Sequence, residues 1–261
     1  MVFPIGDDNS DRTEFPVVTV SLIVINVLVF VLFQGLGSND DFTYAFSTVP
    51  AEIVTGKDLV TEGKIVRQET PTGVQEGQLP GLRPTPGSVY LTLLTSMFMH
   101  GGLMHLAGNM WFLWIFGDNI EQDLGRARYT VFYLLCGILA SLTHVAMNAS
   151  GPSAEVPSLG ASGAISGVMG AYLVLHPYRR VTVLLMRIVT EVPGFVAVGL
   201  WFLFQLVSGL AMFNGASSGV AYGAHIGGFI AGAALVKLFQ IGRPPPSPLR
   251  QSYRQAKVPW V

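Results

Sequence analysis

The chain has 261 residues, 50% of them hydrophobic and only 12% charged, with a formal net charge of −1. Soluble domains carry about 25% charged residues, so the composition excludes an ordinary soluble enzyme, and the near-neutral balance gives no electrostatic basis for binding nucleic acid. The single cysteine, Cys136, excludes an intramolecular disulfide and lies in an apolar run, where a free thiol serves packing.

A helix crosses a bilayer with about 20 apolar residues. Six such runs are read along the chain: Phe15–Leu36, Met97–Phe116, Tyr129–Met147, Ser162–Leu175, Pro193–Phe213 and Val220–Gln240. The expected fold is all-α, a polytopic membrane protein built as a six-transmembrane-helix bundle. The first run follows an acidic leader (Asp7, Asp8, Asp11, Glu14), and no small-residue cleavage site closes it. It reads as an uncleaved span rather than a signal peptide. Residues 1–14 are then a cytoplasmic tail and 15–241 the membrane domain. A long external first loop occupies 37–96, and 242–261 is a flexible, proline-rich basic tail in the cytoplasm.

Six spans place both termini on one side. Eleven of the 15 Lys and Arg residues fall on that side, and the other four lie in the first loop. The bias of cytoplasmic loops toward positive charge therefore predicts cytoplasmic termini, and the expected location is a bacterial plasma membrane.

Polar side chains inside such runs are costly, and they usually line a working interior. Ser162 lies in Gly160-Ala161-Ser162-Gly163, and His225 lies in Ala224-His225-Ile226-Gly227-Gly228. Helical rise, about 1.5 Å per residue, puts Ser162, His225 and His105 each about 18–21 Å from the inner ends of their spans. All three therefore lie at one level, roughly 10 Å below the outer surface of a core about 30 Å thick. Asn109 is one turn deeper than His105 on the same face. This set suits acyl transfer, with Ser162 as nucleophile and His225 as base. The Asn109 amide and the Ser162 N–H, assisted by His105, supply oxyanion donors. Neither the Ser162 nor the His225 segment holds an acidic residue, so the expectation is a dyad. Gly163, Gly167, Gly170, Gly228 and Gly232 form small-xxx-small surfaces that let two helices approach closely.

These stretches resemble the rhomboid intramembrane serine proteases. The resemblance is carried by GASGAISGVMG at 160–170, His105-Leu-Ala-Gly-Asn109, the 117–129 segment with Glu121 and Arg128, and Ala224-His225 followed by Gly228 and Gly232. Val49-Pro50-Ala51-Glu52-Ile53 is similar to bacterial members. The resemblance covers about residues 15–240. It implies a six-helix core, Ser162 as nucleophile, His225 as general base, and His105 and Asn109 at the oxyanion. It also implies structural roles for Glu121, Arg128, Gly160, Gly163 and Gly228, and no cofactor. The substrates it implies are single-span membrane proteins, entering between the second and fifth spans and cut near the outer end of their helix. The position one turn after the serine, aromatic in some members, is Ser166 here, so another group must hold the imidazole.

Competing readings are weaker. A lone membrane serine usually packs, and Ser166 is read that way. His100, His105 and His225 as metal ligands lack the HExxH pattern and a spaced carboxylate, so no metal is expected. His144 reads as an interface histidine, and Trp111, Trp114 and Trp201 as lipid or helix contacts. The alternative function is a non-catalytic rhomboid-like protein that binds transmembrane helices; such members lose the serine or the histidine. A transporter would need two halves with matching broken helices, and none is visible.

Overall fold

The computed structural model describes residues 2–70, 73–79, 81–213 and 221–243. The expected connection at 214–219 and nearly all of the expected tail lie outside these. Strand β1 (Val2–Asp7) precedes helix α1 (Val17–Leu28), which continues through a π-helical turn at Val29–Phe33. The first loop then folds α2 (Asp40–Ala45), α3 (Pro50–Thr55), the hairpin β2 (Lys64–Thr70) and β3 (Gly73–Leu79), and the short α4 (Thr92–Thr95). Helices α5 (Leu103–Leu124), α6 (Arg126–Met147) and α7 (Ser162–Leu175) follow. The chain continues through hairpin β4 (Arg180–Leu185) and β5 (Ile188–Pro193) into α8 (Gly194–Phe213), and then α9 (Tyr222–Phe239).

Six helices thus overlap the six apolar runs, with α1 counted through its π-helical turn, and α7 is the shortest of them at 14 residues. Among the described residues, α6 and α9 are long and apolar enough to cross a membrane by length and composition. The second run differs most in its bounds. Its helix starts only at Leu103, after Gly101-Gly102, and continues to Leu124 through polar residues whose side chains find partners inside the protein.

The short helix α7 is the centre of the bundle, with Gly163 through Tyr172 all buried. Its glycines let α9 lie directly on its backbone. A methyl group on Gly232 would overlap the carbonyl oxygen of Gly167, and one on Gly228 would overlap that of Gly163. Close backbone approach of this kind yields dispersion contact where lipid offers no hydrophobic drive. Phe116, Phe132, Tyr133 and Met169 fill the space around it.

Two loop regions depart from the expected pattern. Residues 1–14 are expected as a tail, yet β1 joins a three-stranded antiparallel sheet in the order β1-β4-β5. Trp111 Nε1 donates to the Pro4 carbonyl at 2.9 Å, and the Phe3 ring stacks on Trp111. Arg179 makes a paired contact with both Asp11 carboxylate oxygens at 2.7 and 2.6 Å. Asp11 thus docks the leader on a buried arginine side chain, a contact with no sequence-local signature. The first loop is likewise built structure. Thr48 pairs with Ser158 in an isolated antiparallel bridge, and Thr48 Oγ1 donates to Ser96 Oγ at 2.9 Å. The Gly160 N–H donates to the Ser96 carbonyl at 2.8 Å. This loop therefore braces the segment that leads into Ser162.

Candidate active site

Ser162 is the first residue of α7, so its N–H is among the first-turn donors that the helix cannot satisfy itself. The positive end of the helix dipole adds to this. His225 is in the first turn of α9. Because α7 and α9 touch backbone to backbone, the two side chains meet: Ser162 Oγ lies 2.8 Å from His225 Nε2. Both residues are half-buried.

The other face of the imidazole is also engaged. His225 Nδ1 lies 2.8 Å from Gln205 Oε1 on α8. A carbonyl oxygen only accepts, so Nδ1 carries the proton and Nε2 is left to accept from the serine hydroxyl. The Trp201 ring lies 6.1 Å from the His225 ring at 37°, and the Tyr222 ring 6.3 Å away at 83°. These three side chains answer the question left by Ser166, whose hydroxyl donates to the Ser162 carbonyl at 2.7 Å and packs. Sequence reasoning passed over Gln205. The available signal was an amide alone among the apolar residues of the fifth run. Trp201, expected as a lipid or helix contact, packs its ring 6.4 Å from the Phe112 ring of α5, and it is also beside His225.

His105 and Asn109 lie in the first two turns of α5, facing Gly160. Gly160 has φ +120°, a conformation that favours glycine, and a methyl group there would meet His105 Nε2 at 2.8 Å and Asn109 Nδ2 at 3.5 Å. The space in front of Gly160 is thus a notch with two nitrogen-bearing side chains on its wall. Asn109 is buried, and its Nδ2 has no partner among the described residues. A buried donor left unpaired is costly and calls for an explanation; a developing oxyanion is a fitting acceptor. His105 is exposed at the mouth of the notch. His100 is fully buried beside it, ring centroids 5.2 Å apart.

Glu121 and Arg128 are away from this notch and hold helices in place. Glu121 on α5 accepts from the backbone N–H groups of Val18 at 2.9 Å and Thr19 at 2.8 Å, and from Thr19 Oγ1 at 2.8 Å. A carboxylate from one helix therefore caps the positive N-terminus of another, α1. Arg128 does the converse at α9, donating to the carbonyls of Phe239 at 2.9 Å and Ile241 at 2.6 Å. Gly163 fits against Ala140, where an added methyl would stand 2.6 Å from the alanine Cβ. His144 makes local contacts with Asn148. Among the described residues no three His, Cys, Asp or Glu side chains gather as a metal site.

The helical bundle holds a serine and a histidine in contact, close to a notch with one unpaired buried donor, Asn109 Nδ2, among the described residues. The family model described as Rhomboid domain matches residues 87–240, more than half of the chain, and the chain belongs to the rhomboid family. It is 38% identical over 143 residues to the Rhomboid protease GluP of Bacillus subtilis (strain 168), covering 55% of this chain and 25% of that protein. It is 35% identical over 103 residues to the mitochondrial Presenilin-associated rhomboid-like protein of Mus musculus, covering 39% of this chain and 27% of the relative. With the mitochondrial Rhomboid protein 1 of Saccharomyces cerevisiae it shares 32% identity over 148 residues, covering 54% of this chain and 40% of the relative. The chain thus spans well under half the length of each of these relatives.

Proposed function

We propose that this protein is an intramembrane serine endopeptidase that hydrolyses peptide bonds in or near the transmembrane segments of single-span membrane proteins. The observation that carries the reading is the 2.8 Å approach of Ser162 Oγ to His225 Nε2. Ser162 Oγ attacks the scissile carbonyl while His225 Nε2 takes its proton. The oxyanion forms in the notch before Gly160, where Asn109 Nδ2, His105 and the Ser162 N–H converge on it. One such donor lowers the barrier by roughly 2.7–4 kcal/mol. The imidazolium then gives its proton to the leaving amine, and water completes deacylation by the same relay in reverse. Water reaches the notch on the side of His105, an exposed residue.

The long helices at the six apolar runs support a six-span protein embedded in the bilayer. The excess of positive charge on the side of both termini supports cytoplasmic termini. A bacterial plasma membrane is the proposed location, and the mitochondrial relatives make a mitochondrial membrane the alternative. The test is cleavage of a single-span reporter in lipid vesicles, with fluorophosphonate labelling alongside. Ser162→Ala and His225→Ala should each abolish cleavage, and Ser162→Ala should abolish labelling, with membrane insertion intact. Cleavage at the wild-type rate in either variant overturns the assignment.

A further inference from the structure

We infer that Gln205 is the positioning residue of the dyad, standing where a triad would place a carboxylate, and that it couples the dyad to the seating of α8 against α9. The inference rests on the protease reading above and deepens it.

Among the described residues, His225 has two side-chain hydrogen-bond partners, Ser162 and Gln205, and neither is acidic. A histidine free on its Nδ1 side populates both tautomers. In one of them Nε2 carries the hydrogen, faces the serine hydroxyl and cannot accept its proton. The Gln205 carbonyl, 2.8 Å from Nδ1 and on a side chain only 6% exposed, selects the other tautomer. A carboxylate would do the same and also stabilise the imidazolium. Inside a bilayer, however, an ionised side chain costs several kcal/mol, about 2.5–3.5 on insertion scales. A neutral amide orients the ring without that cost, which accounts for a dyad with a polar third member and no triad acid.

The placement on α8 adds a second consequence. Trp201 and Gln205 are four residues apart and present one face of the helix. That face supplies both the ring beside His225 and the acceptor of its proton. Ser162 and His225 themselves are on α7 and α9, which are locked backbone to backbone. Displacing α8 therefore leaves the serine–histidine distance intact and removes the group that fixes the tautomer. Whatever holds α8 in or out, a substrate helix included, acts on the chemistry through this one hydrogen bond.

The competing explanation is that Gln205 merely fastens α8 to α9 as polar glue. Two variants separate the readings. Gln205→Met keeps the side-chain length and apolar packing but has no carbonyl acceptor, and Gln205→Glu restores an acceptor oxygen at the same reach. The full chain in lipid vesicles is assayed for kcat and KM on a single-span reporter. Thermal unfolding and the 15N imidazole spectrum are recorded in parallel, with His225 assigned by difference from His225→Ala. Gln205→Met should lower kcat at least about tenfold, as loss of correct protonation in general base catalysis requires, with KM and unfolding temperature unchanged. Its His225 spectrum should change from the Nδ1–H tautomer to a mixture, and Gln205→Glu should recover most of kcat. Wild-type kcat in Gln205→Met with Ser162-dependent cleavage overturns this inference and leaves the protease reading standing. An unchanged tautomer, or a kcat loss that tracks lost stability and is not recovered by Glu, also overturns it. Cleavage that persists in Ser162→Ala sinks the protease reading instead, and the tautomer spectrum still decides the role of Gln205.

Discussion

Replacing Gly228 by alanine probes how far the dyad depends on direct backbone contact between α7 and α9. Gly228 is three residues beyond His225, and the backbone it faces is that of Gly163, next to Ser162. The added methyl would stand 3.0 Å from the Gly163 carbonyl carbon and 3.2 Å from Ala140 Cβ, with the Gly163 oxygen closer still. Non-bonded heavy atoms pack at about 3.5–4.0 Å, and the oxygen overlap is the tightest, so α9 must withdraw from α7 by roughly 1 Å. The Ser162–His225 bond of 2.8 Å then stretches to about 3.8 Å, past the roughly 3.2 Å limit of a useful hydrogen bond. Overpacking of this sort costs about 1–3 kcal/mol of stability. A misplacement of about 1 Å near the reacting atoms costs about 100-fold in rate. The assay is turnover of a single-span reporter in vesicles, with thermal unfolding in the same lipid. The expected result is a kcat about 100-fold lower in a chain that still unfolds cooperatively. Gly199→Ala on α8 serves as the control, since a methyl group there meets nothing within 4 Å. Wild-type turnover in Gly228→Ala would refute the claim that this contact sets the catalytic distance.

Three further outcomes follow from single contacts. Asn109→Ala removes the unpaired donor beside Gly160 and should lower kcat about 10²–10³-fold without lowering the unfolding temperature; unchanged turnover would take Asn109 out of the oxyanion site. Glu121→Ala strips the cap from α1 and should cost about 1–2 kcal/mol, the range for a lost N-cap, read by thermal unfolding, while fluorophosphonate labelling of Ser162 persists in the cold; an unfolding temperature equal to wild type would contradict the capping role. Asp7, the last residue of β1, has its pKa raised from 3.8 to about 7 by burial and by the nearby Asp118 carboxylate, against the hydrogen bonds it accepts from Tyr172 and Asn119. The folded state therefore holds a proton that the unfolded chain has released. The stabilisation is fully present below about pH 4 and is lost as pH rises through about 7, with an upper bound of about 4 kcal/mol. Asp7→Asn should flatten this loss and unfold at a higher temperature than wild type at pH 8; parallel pH profiles for the two proteins would rule the linkage out.

Much of the architecture was legible because membrane helices advertise themselves. The apolar runs gave the long helices to within a few residues, except at the second. There Gly101-Gly102 delays the helix, and internal partners for Asp118, Asn119 and Glu121 extend it. The docking of residues 2–12 was not legible. The acidic leader looks like solvated tail until Arg179, far along the chain, is brought to Asp11. The β4–β5 hairpin pairs locally, but through short strands set in a connection between two apolar runs, whereas the Thr48–Ser158 bridge of the first loop joins residues far apart in the chain.

The sequence by itself determined the family, the level of Ser162, His225, His105 and Asn109 along their helices, and the smooth glycine faces that permit contact. Each of these depends on composition and helical rise, which are local. Only the tertiary structure decided which face of α8 meets His225, and so singled out Gln205 and Trp201 from a largely apolar helix. It also decided that Glu121 and Arg128 serve the ends of helices other than their own. Rotation of one helix about its axis relative to another is set by packing across the bundle, and no single segment carries that information.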